Sequence, residues 1–440
     1  MPGTPARRRA LVIAYYFPPL GLSGVQRTLK FVKYLPQYGW DVTVLTVEAR
    51  GYFAHDESLL AELDGLGIDI IRTRSLDPLF FFRKRKKVAM PSGRTYRMLG
   101  WIGQALFVPD NKIGWKQHAL RAARQALKER AHDVIFATAP PFTDFLIARD
   151  LKREFGIPLL LDYRDPWLEN PLHHYPTPLH RFLHHRLELG VLRYADHIMT
   201  INRRMKELTL RTAPFLSHHD VTILSQGFDP GDFDGPPPPR ADARMRITHT
   251  GTFYFDRTPK YFLQALWRFF DAHPAARGAV RATFVGTTRE EDRKTVEELG
   301  LGDCVEITGY LPHAECVAIT RASDVLWMMI GNADGMDVAS TGKLYEYIAA
   351  RKPILACVPE GAARQTLDAS GAAFLCPPQD VDAIAAHIAT LYSRFRAGTL
   401  PAPPDDFIAQ FDRKRLTGDL VTLFETILHC DGFEHASGNA

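Results

Sequence analysis

The stretch STGKLYEYIAARKPILA, residues 340–356, places a cation and a carboxylate at the start of a predicted helix. Lys343 lies in the first turn and Glu346 lies three residues later, so the two side chains share one flank of the helix. A positive charge there opposes the helix dipole, and a bound phosphate would offset that cost. The alternative is a solvent-exposed Lys–Glu pair that contributes roughly a few tenths of a kcal/mol.

The residues around this helix start exclude the P-loop. Thr341 and Gly342 would present unpaired backbone amides, as the first turn of any helix does. Six residues separate Gly335 from Gly342 where the P-loop requires four, and Leu344 stands where Ser or Thr is needed. The pattern therefore predicts phosphate binding of another kind.

A second pair of cations follows a predicted strand in THTGTFYFDRTPK, residues 248–260. Gly251 allows the backbone to approach a ligand, and Arg257 and Lys260 flank a helix start at Pro259. An arginine at a helix start also opposes the dipole, which favours a phosphate contact over an arginine that points into solvent.

Two junctions in the first half of the chain could also bind a ligand. Gly21 and Gly24 lie in a strand-to-helix turn, but the GxGxxG spacing is absent, which argues against a nicotinamide site. In DYRDPW, Arg164, Asp165 and Trp167 follow a buried strand, at the edge where parallel sheets bind ligands. An ordinary turn and a structural Arg–Asp pair are the alternatives.

The elements that must position these residues alternate between strand and helix. This alternation predicts parallel sheets covered on both faces, in two Rossmann-like domains that face a cleft. The predicted strands are 10–16, 41–47, 69–73, 133–137, 158–162, 196–201, 221–225, 245–250, 281–286, 304–308, 324–329, 353–357 and 373–376.

Composition and charge support two domains in a chain of 440 residues. Residues 1–235 hold 33 Lys and Arg against 24 Asp and Glu, a balance of +9, whereas residues 236–440 hold 21 against 26, a balance of −5. Four consecutive prolines lie between these halves. We predict these domains: an N-terminal, acceptor-side domain over 1–230, a linker over 231–244, a donor-side domain over 245–400, and a helix over 405–430 that returns to the first domain.

Cysteines and apolar runs indicate a cytoplasmic protein. The five cysteines form no CxxC pair, which favours reduced thiols. No apolar run has the roughly 18 residues that a membrane span needs, and ALVIAYYF is interpreted as a first strand, not a signal peptide. The histidines of 173–185 lack the HExxH glutamate, so no metal is predicted.

The segment LFFFRKRKK, residues 79–87, joins three phenylalanines to the basic run Arg83–Lys87. It predicts peripheral attachment to an anionic membrane surface, on the inner face of the cell membrane, with a solvated loop as the equal alternative. No nucleic-acid recognition motif accompanies it, so no nucleic-acid partner is predicted.

These motifs resemble the retaining nucleotide-sugar glycosyltransferases of the GT-B fold, and most of all family four. The resemblance covers nearly the whole chain and is carried by FPPLGLSGVQR, DYRDPW, HTGTFYFDRTP, ITGYLPHAECVAITRASDVLW, STGKLYEYIAARKPILA and ASGAAFLCPPQDVDAIAAHI. It implies transfer of a sugar from a nucleoside diphosphate to a saccharide or polyprenyl-linked acceptor, in surface polysaccharide or glycoconjugate synthesis. No cofactor or metal is implied.

The resemblance also implies a role for each residue. Arg257 and Lys343 would neutralise the departing diphosphate, with Asp165 as a further catalytic residue, and Arg164 and Trp167 would lie on the acceptor side. The donor would contact Gly21, Gly24, Gly251, Tyr310, Leu311, Thr341, Gly342 and Glu346.

The chain departs from the family pattern twice. Thr252 stands where many members have a phosphate-binding arginine, and Val338 stands where many have a second glutamate. These departures leave the donor-sugar contacts open. A sugar-nucleotide epimerase and a non-catalytic nucleotide-sugar-binding protein are the alternative functions.

Overall fold

A computed structural model describes residues 7–21, 23–49, 55–76, 103–170, 173, 175–240, 242–253 and 257–429. The chain divides into two compact units, one of Met1–Ser225 with Arg413–Ala440 and one of Gln226–Asp412. The predicted membrane-binding run Arg83–Lys87 lies outside the described residues. Among the helices that are described, none is both long and apolar enough to cross a bilayer.

Each unit is built on one parallel sheet. The first sheet has seven strands in the order β3-β2-β1-β4-β5-β6-β7, and the second has six in the order β10-β9-β8-β11-β12-β13. The strands are β1 Arg8–Ile13, β2 Trp40–Val47, β3 Asp69–Thr73, β4 Val134–Ala139, β5 Leu159–Tyr163, β6 His197–Thr200, β7 Val221–Ile223, β8 Met245–Thr250, β9 Val280–Val285, β10 Val305–Gly309, β11 Val325–Met329, β12 Ile354–Cys357 and β13 Ala373–Cys376.

Every strand that the sequence predicts is present, and the fold is the predicted pair of parallel α/β domains. The bounds of β3, β8 and β13 match the prediction, and the ends of the other strands differ from it by at most three residues; β1, for example, begins at Arg8 and β7 ends at Ile223. Every residue of β4, β5 and β11 is buried. Strands covered on both faces are continuously apolar, which is why these runs were visible in the sequence.

Helices cover both sheets. They are α1 Ser23–Tyr34, α2 Ser58–Ala61, α3 Lys116–Glu129, α4 Thr143–Phe155, α5 Pro178–Leu192, α6 Arg203–Thr212, α7 Lys260–Ala272, α8 Glu290–Glu298, α9 His313–Arg321, α10 Gly342–Ala349, α11 Ala362–Ala369, α12 Val381–Arg396, α13 Asp405–Ala409 and α14 Arg413–His429. Short 3₁₀ helices span Leu35–Tyr38, Ile113–Trp115, Pro230–Phe233, Pro274–Ala279 and Met336–Val338.

The core of the second unit is rich in aromatic rings on one face of its sheet. The Trp327 ring of β11 stacks on Phe262 of α7 with ring centroids 4.2 Å apart, and Phe284 of β9 packs 5.6 Å away. On the other face α10 buries Leu344, Tyr345, Tyr347, Ile348 and Ala349. This packing fixes the start of α10 against the carboxyl ends of the strands.

The last helix completes the first unit. Phe424 of α14 is fully buried, and its ring lies 4.9 Å from Trp40 of β2 and 6.0 Å from Phe136 of β4. The Tyr38 hydroxyl donates to the Lys414 carbonyl oxygen at 2.8 Å. The chain leaves this unit after Ser225, a few residues before the predicted boundary at 230.

A buried ion pair joins α1 to β5 within the first unit. The Arg27 guanidinium donates to both Asp162 oxygens at 3.0–3.2 Å, and both side chains are at most 1% exposed. Thr138 also donates to Asp162 at 2.9 Å. The remaining Arg27 donors reach the carbonyls of Leu224 and Ser225. Asp162 is therefore a structural residue.

Candidate functional site

The floor of the candidate site is bare backbone at the ends of β8, β9 and β10. The Gly251 amide donates to the Val285 carbonyl at 2.7 Å, and the Gly286 amide donates to the Gly309 carbonyl at 2.8 Å. A Cβ on Gly286 would lie 2.2 Å from the Gly251 carbonyl oxygen. Such close approach of two main-chain segments requires glycine at position 286.

Lys343 reaches from α10 to this floor. Its Nζ donates to the Thr250 carbonyl at 2.5 Å and lies 3.1 Å from the position that a Gly251 Cβ would take. Burial lowers the pKa of Lys343; the nearby Glu346 carboxylate opposes the change and the Arg257 charge adds to it. A bound polyphosphate would stabilise the charged ammonium.

Arg257 and Glu346 lie within electrostatic reach of Lys343. The Arg257 charge lowers the pKa of both Lys343 and His249. Both Arg257 and Glu346 are partly exposed. Within the described part of the chain no hydrogen bond engages the Glu346 carboxylate, so its oxygens can accept from ligand hydroxyls.

His249 is a member of this cluster that sequence reasoning missed. Its Nδ1 lies 3.0 Å from the Trp327 carbonyl oxygen, which only accepts, so Nδ1 carries the proton and Nε2 carries a lone pair. Nε2 lies 3.0 Å from the position of a Gly251 Cβ. Burial, with the charges of Lys343 and Arg257, lowers the pKa of His249 to about 3. The imidazole is neutral at pH 7.

Tyr347 fixes α10 to the end of β8. The Thr250 amide donates to the Tyr347 hydroxyl oxygen at 2.7 Å, and the ring is 1% exposed. Spacing along the sequence could not reveal this hydrogen bond. The helix start itself, at Thr341 and Gly342, has no side-chain N-cap.

The turn after β10 lies at the same end of the sheet. Gly309 has a φ of 78°, and the Tyr310 side chain that follows is 48% exposed. The Leu311 carbonyl accepts from Cys316 at 3.5 Å, and the charge that Cys316 would carry as a thiolate raises the pKa of Lys343. Tyr310 and Leu311 thus lie at the same end of the sheet as the residues that Lys343 contacts.

The predicted residues of the first unit lie at the carboxyl ends of its own strands. Gly21 is buried, and Arg164 donates to the Gly24 carbonyl at 2.6 Å and to the Pro140 carbonyl. Trp167 is 1% exposed and stacks on a neighbouring phenylalanine. Asp165 is exposed. Arg164 and Trp167 therefore shape the strand ends from inside the unit, and Asp165 faces solvent.

Family comparisons match both units. Residues 24–214 match the "glycosyl transferase 4-like domain" and residues 244–394 match "glycosyl transferases group 1". The chain belongs to the GT-B glycosyltransferases and resembles family four. The matched ranges carry this glycosyltransferase's Lys343, Arg257 and Glu346 in the second unit and Arg164, Asp165 and Trp167 in the first.

One relative has a more specific name. The 2-deoxystreptamine N-acetyl-D-glucosaminyltransferase of Streptomyces fradiae is 28% identical over 253 residues, in a match that covers 51% of this chain and 59% of the relative. The match therefore spans well under two thirds of that protein's length.

Solved structures share the fold across nearly the whole glycosyltransferase. HepE of Anabaena, solved in complex with UDP-glucose, is 14% identical with a TM-score of 0.62 over 95% of this chain and 99% of its own. A putative UDP-N-acetylglucosamine 2-epimerase of Listeria monocytogenes is 11% identical with a TM-score of 0.58 over 96% and 97%. The fold alone thus does not separate transferases from epimerases.

Proposed function

We propose that this glycosyltransferase moves a sugar, with retention at the anomeric carbon, from a nucleoside diphosphate to a saccharide or lipid-linked acceptor. The observation that carries the donor part is the convergence of Lys343, Arg257 and Glu346 on the glycine-lined end of β8. Two cations beside bare backbone suit a diphosphate, and an unpaired carboxylate one turn away suits ribose hydroxyls. Synthesis of a surface polysaccharide or glycoconjugate is the proposed setting.

In this proposal the second unit stabilises the leaving group. Lys343 and Arg257 neutralise charge as the diphosphate departs, and the free amides at the start of α10 add to that stabilisation. Glu346 accepts from the ribose, and the backbone around Tyr310 and Leu311 holds the base. Because the cations serve the diphosphate, the reaction is proposed to need no metal.

The acceptor is proposed to meet the first unit. Asp165 is exposed at the end of β5 and is the candidate for direct contact, whereas Arg164 and Trp167 would act through the shape of the loop they hold. The name of the Streptomyces fradiae relative adds an aminocyclitol to the candidate acceptor classes.

Alanine substitution tests the donor site. We expect Lys343→Ala and Glu346→Ala each to lower the transfer rate by roughly 10²-fold, because charge-stabilising contacts in a water-excluded site have effects of that size. The donor is first chosen by the thermal shift that each of a panel of nucleotide sugars produces. Lys294→Ala and Glu297→Ala, both exposed on α8, are the matched controls. Turnover near wild type in both site variants would refute the assignment.

The epimerase alternative needs a separate measurement because the fold permits it. The protein is incubated with the stabilising nucleotide sugar and no acceptor, and the sugar is analysed. Appearance of the epimer supports the epimerase. Transfer that depends on an added acceptor supports the proposed function, and tight binding without either reaction supports a non-catalytic binding protein.

We also propose cytoplasmic peripheral attachment to an anionic membrane through Arg83–Lys87. The proposal rests on the sequence, in which three phenylalanines precede five basic residues. Each basic residue near an anionic lipid surface contributes about 1 kcal/mol to the free energy of binding. Wild type should co-sediment with anionic vesicles, less so at high salt, and a variant with all five basic residues changed to Ser should not. Absence of wild-type binding at low salt would contradict the attachment.

A further inference from the structure

The outward face of α5 in the first unit is apolar. Leu179, Phe182 and Leu183 are exposed to 61%, 53% and 40%, and their spacing of three and four residues places them on one side of the helix. The opposite side of α5 packs into the unit and buries Val191 and Leu192. The helix therefore has two apolar sides, and the described residues cover only one of them.

The exposed apolar surface continues at both ends of α5. At the start of the helix, His180 Nε2 lies 3.0 Å from the carbonyl oxygen of Ala105, and the next residue, Leu106, is exposed. Just after the end of the helix, the Tyr194 ring is exposed as well. With the three residues of the outward face, these make five of the ten large apolar side chains that are exposed in the described residues. Apolar exposure concentrated in this way marks an interaction surface, whereas scattered single residues do not.

The charged side chains of this face are cationic. Arg186 and Arg193 follow Leu179 by about two and four turns, on the same side of the helix, and both are exposed. The Arg186 guanidinium lies over the Phe182 ring at 5.8 Å. Within the described part of the chain, neither arginine forms an ion pair. The one acidic residue of α5, Glu188, is buried on the opposite side. The face thus combines apolar groups with positive charge and has no carboxylate of its own.

This charge distinguishes between possible partners. In a symmetric dimer the face would meet a second copy of itself, which would bring arginines against arginines without a carboxylate to pair with them. The Glu169 carboxylate, which reaches α5, is already paired with Arg181 at 2.6 Å. An anionic bilayer offers an apolar boundary for leucine and phenylalanine and offers phosphates for guanidinium groups. The composition of the face therefore favours lipid.

We propose that the outward face of α5 binds an anionic lipid bilayer, with Leu179, Phe182 and Leu183 at the boundary between headgroups and acyl chains and Arg186 and Arg193 on lipid phosphates. This surface is separate from the Arg83–Lys87 run, and two weak membrane signals together give a stable attachment. The binding does not require transfer activity. That it brings the first unit to a lipid-linked acceptor rests on the proposed function.

Co-sedimentation of the complete protein with vesicles tests the apolar part of the face. The vesicles contain phosphatidylcholine and phosphatidylglycerol. The triple variant Leu179→Ser, Phe182→Ser, Leu183→Ser should bind at least about tenfold more weakly than wild type, because three apolar side chains no longer leave water on binding. Since all three are exposed, the variant should keep the melting temperature of wild type. Trp267→Ser, which replaces an exposed apolar residue on α7, is the matched control and should bind as wild type does.

The cationic part of the face is tested with Arg186→Gln and Arg193→Gln together. This variant should bind the anionic vesicles more weakly by roughly fivefold for each arginine lost. Vesicles of phosphatidylcholine alone should bind wild type weakly. Arg394→Gln is the matched control, because the Arg394 guanidinium lies over the Phe374 ring at 5.5 Å, much as Arg186 lies over Phe182. Equal binding of wild type to neutral and anionic vesicles would overturn the assignment to anionic lipid.

The remaining outcomes separate this proposal from its alternatives. If the triple variant co-sediments as wild type does, the face does not touch the bilayer and the proposal is wrong. If light scattering shows a wild-type dimer that the triple variant does not form, the face belongs to a second copy. Wild type that ignores anionic vesicles at low salt would leave the face to an acidic protein and would also overturn the proposal.

The proposed function can fail without this surface, and the same assays show which has failed. Binding that survives the change of Arg83–Lys87 to Ser, but not the triple substitution, would contradict only the attachment proposed for that basic run. Transfer is measured without vesicles, so its absence would contradict the proposed function and leave the lipid result standing.

Discussion

At the scale of single residues, the cluster at the end of β8 shows what sequence spacing can reveal. Lys343 and Glu346 stand out because a cation at a helix start is unfavourable without an anion. His249 gave no such signal: it lies inside a strand, and only the fold brings its Nε2 next to Gly251 and Lys343. Contacts between side chains on different elements cannot be read from spacing along one element.

The Gly251 backbone provides the first prediction. Gly251→Ala should lower the affinity for the donor, because the new Cβ would lie 3.0 Å from His249 Nε2 and 3.1 Å from Lys343 Nζ, at a φ of 156° that L-residues rarely adopt. Calorimetric titration with the stabilising nucleotide sugar measures the loss, which we expect to be at least tenfold. Gly278→Ala is the control, since its Cβ would meet no atom within 4 Å. Equal donor affinities of wild type and the Gly251→Ala variant would contradict this prediction.

At the scale of elements, the strands were predictable, most clearly β4, β5 and β11, whose short apolar runs are buried along their whole length. The partners of the polar residues in these strands were not predictable. Asp162 stood beside Arg164 in the sequence, and an Arg–Asp pair was one interpretation. In the fold Asp162 pairs instead with Arg27, 135 positions away, whereas Arg164 turns to the Gly24 and Pro140 carbonyls. The periodicity of a segment predicts burial, but it does not identify a distant partner.

The buried Arg27–Asp162 pair supports the second prediction. Asp162→Asn should lower the free energy of unfolding of the first unit by about 3–5 kcal/mol, because it leaves the Arg27 charge buried without a counter-charge. Denaturant unfolding followed by intrinsic fluorescence measures the change. Glu154→Gln, which breaks the exposed pair with Arg124, should have little effect. If the two variants have similar free energies of unfolding, the loss of the Asp162 charge does not destabilise the buried Arg27, and the prediction is wrong.

At the scale of the whole molecule, the charge division of the sequence coincides with two units that each have their own sheet and core. The basic half is the one that we assign to the acceptor. The anionic donor is assigned to the acidic half, where local cations and not net charge would bind it. The proposed donor site therefore rests on the placement of Lys343 and Arg257 and not on net charge.

The third prediction is that activity needs no metal. Arg257 and Lys343 lie where the departing diphosphate would need counter-charge, so a divalent ion would duplicate their role. Transfer by the complete protein should persist after treatment with excess EDTA, and added Mg²⁺ or Mn²⁺ should change the rate little. A loss of activity that Mg²⁺ or Mn²⁺ restores would overturn this prediction. The Lys343→Ala variant serves as the comparison, since a metal would replace part of its missing charge.

The discontinuity of the first unit has a consequence for how the protein is made. The chain leaves this unit after Ser225 and supplies its last helix only from Arg413 onward. During synthesis on a ribosome, the surface formed by Trp40 and Phe136 stays uncovered until α14 is made. The whole second unit is translated first, which takes on the order of 10–40 s. Through that interval the nascent first unit exposes an apolar face, whereas the second unit has all of its own sequence as soon as Asp412 is made. We therefore expect the second unit to complete its folding before the first unit does, although the first unit is synthesised earlier. The uncovered apolar face of the first unit is where we expect a chaperone to bind.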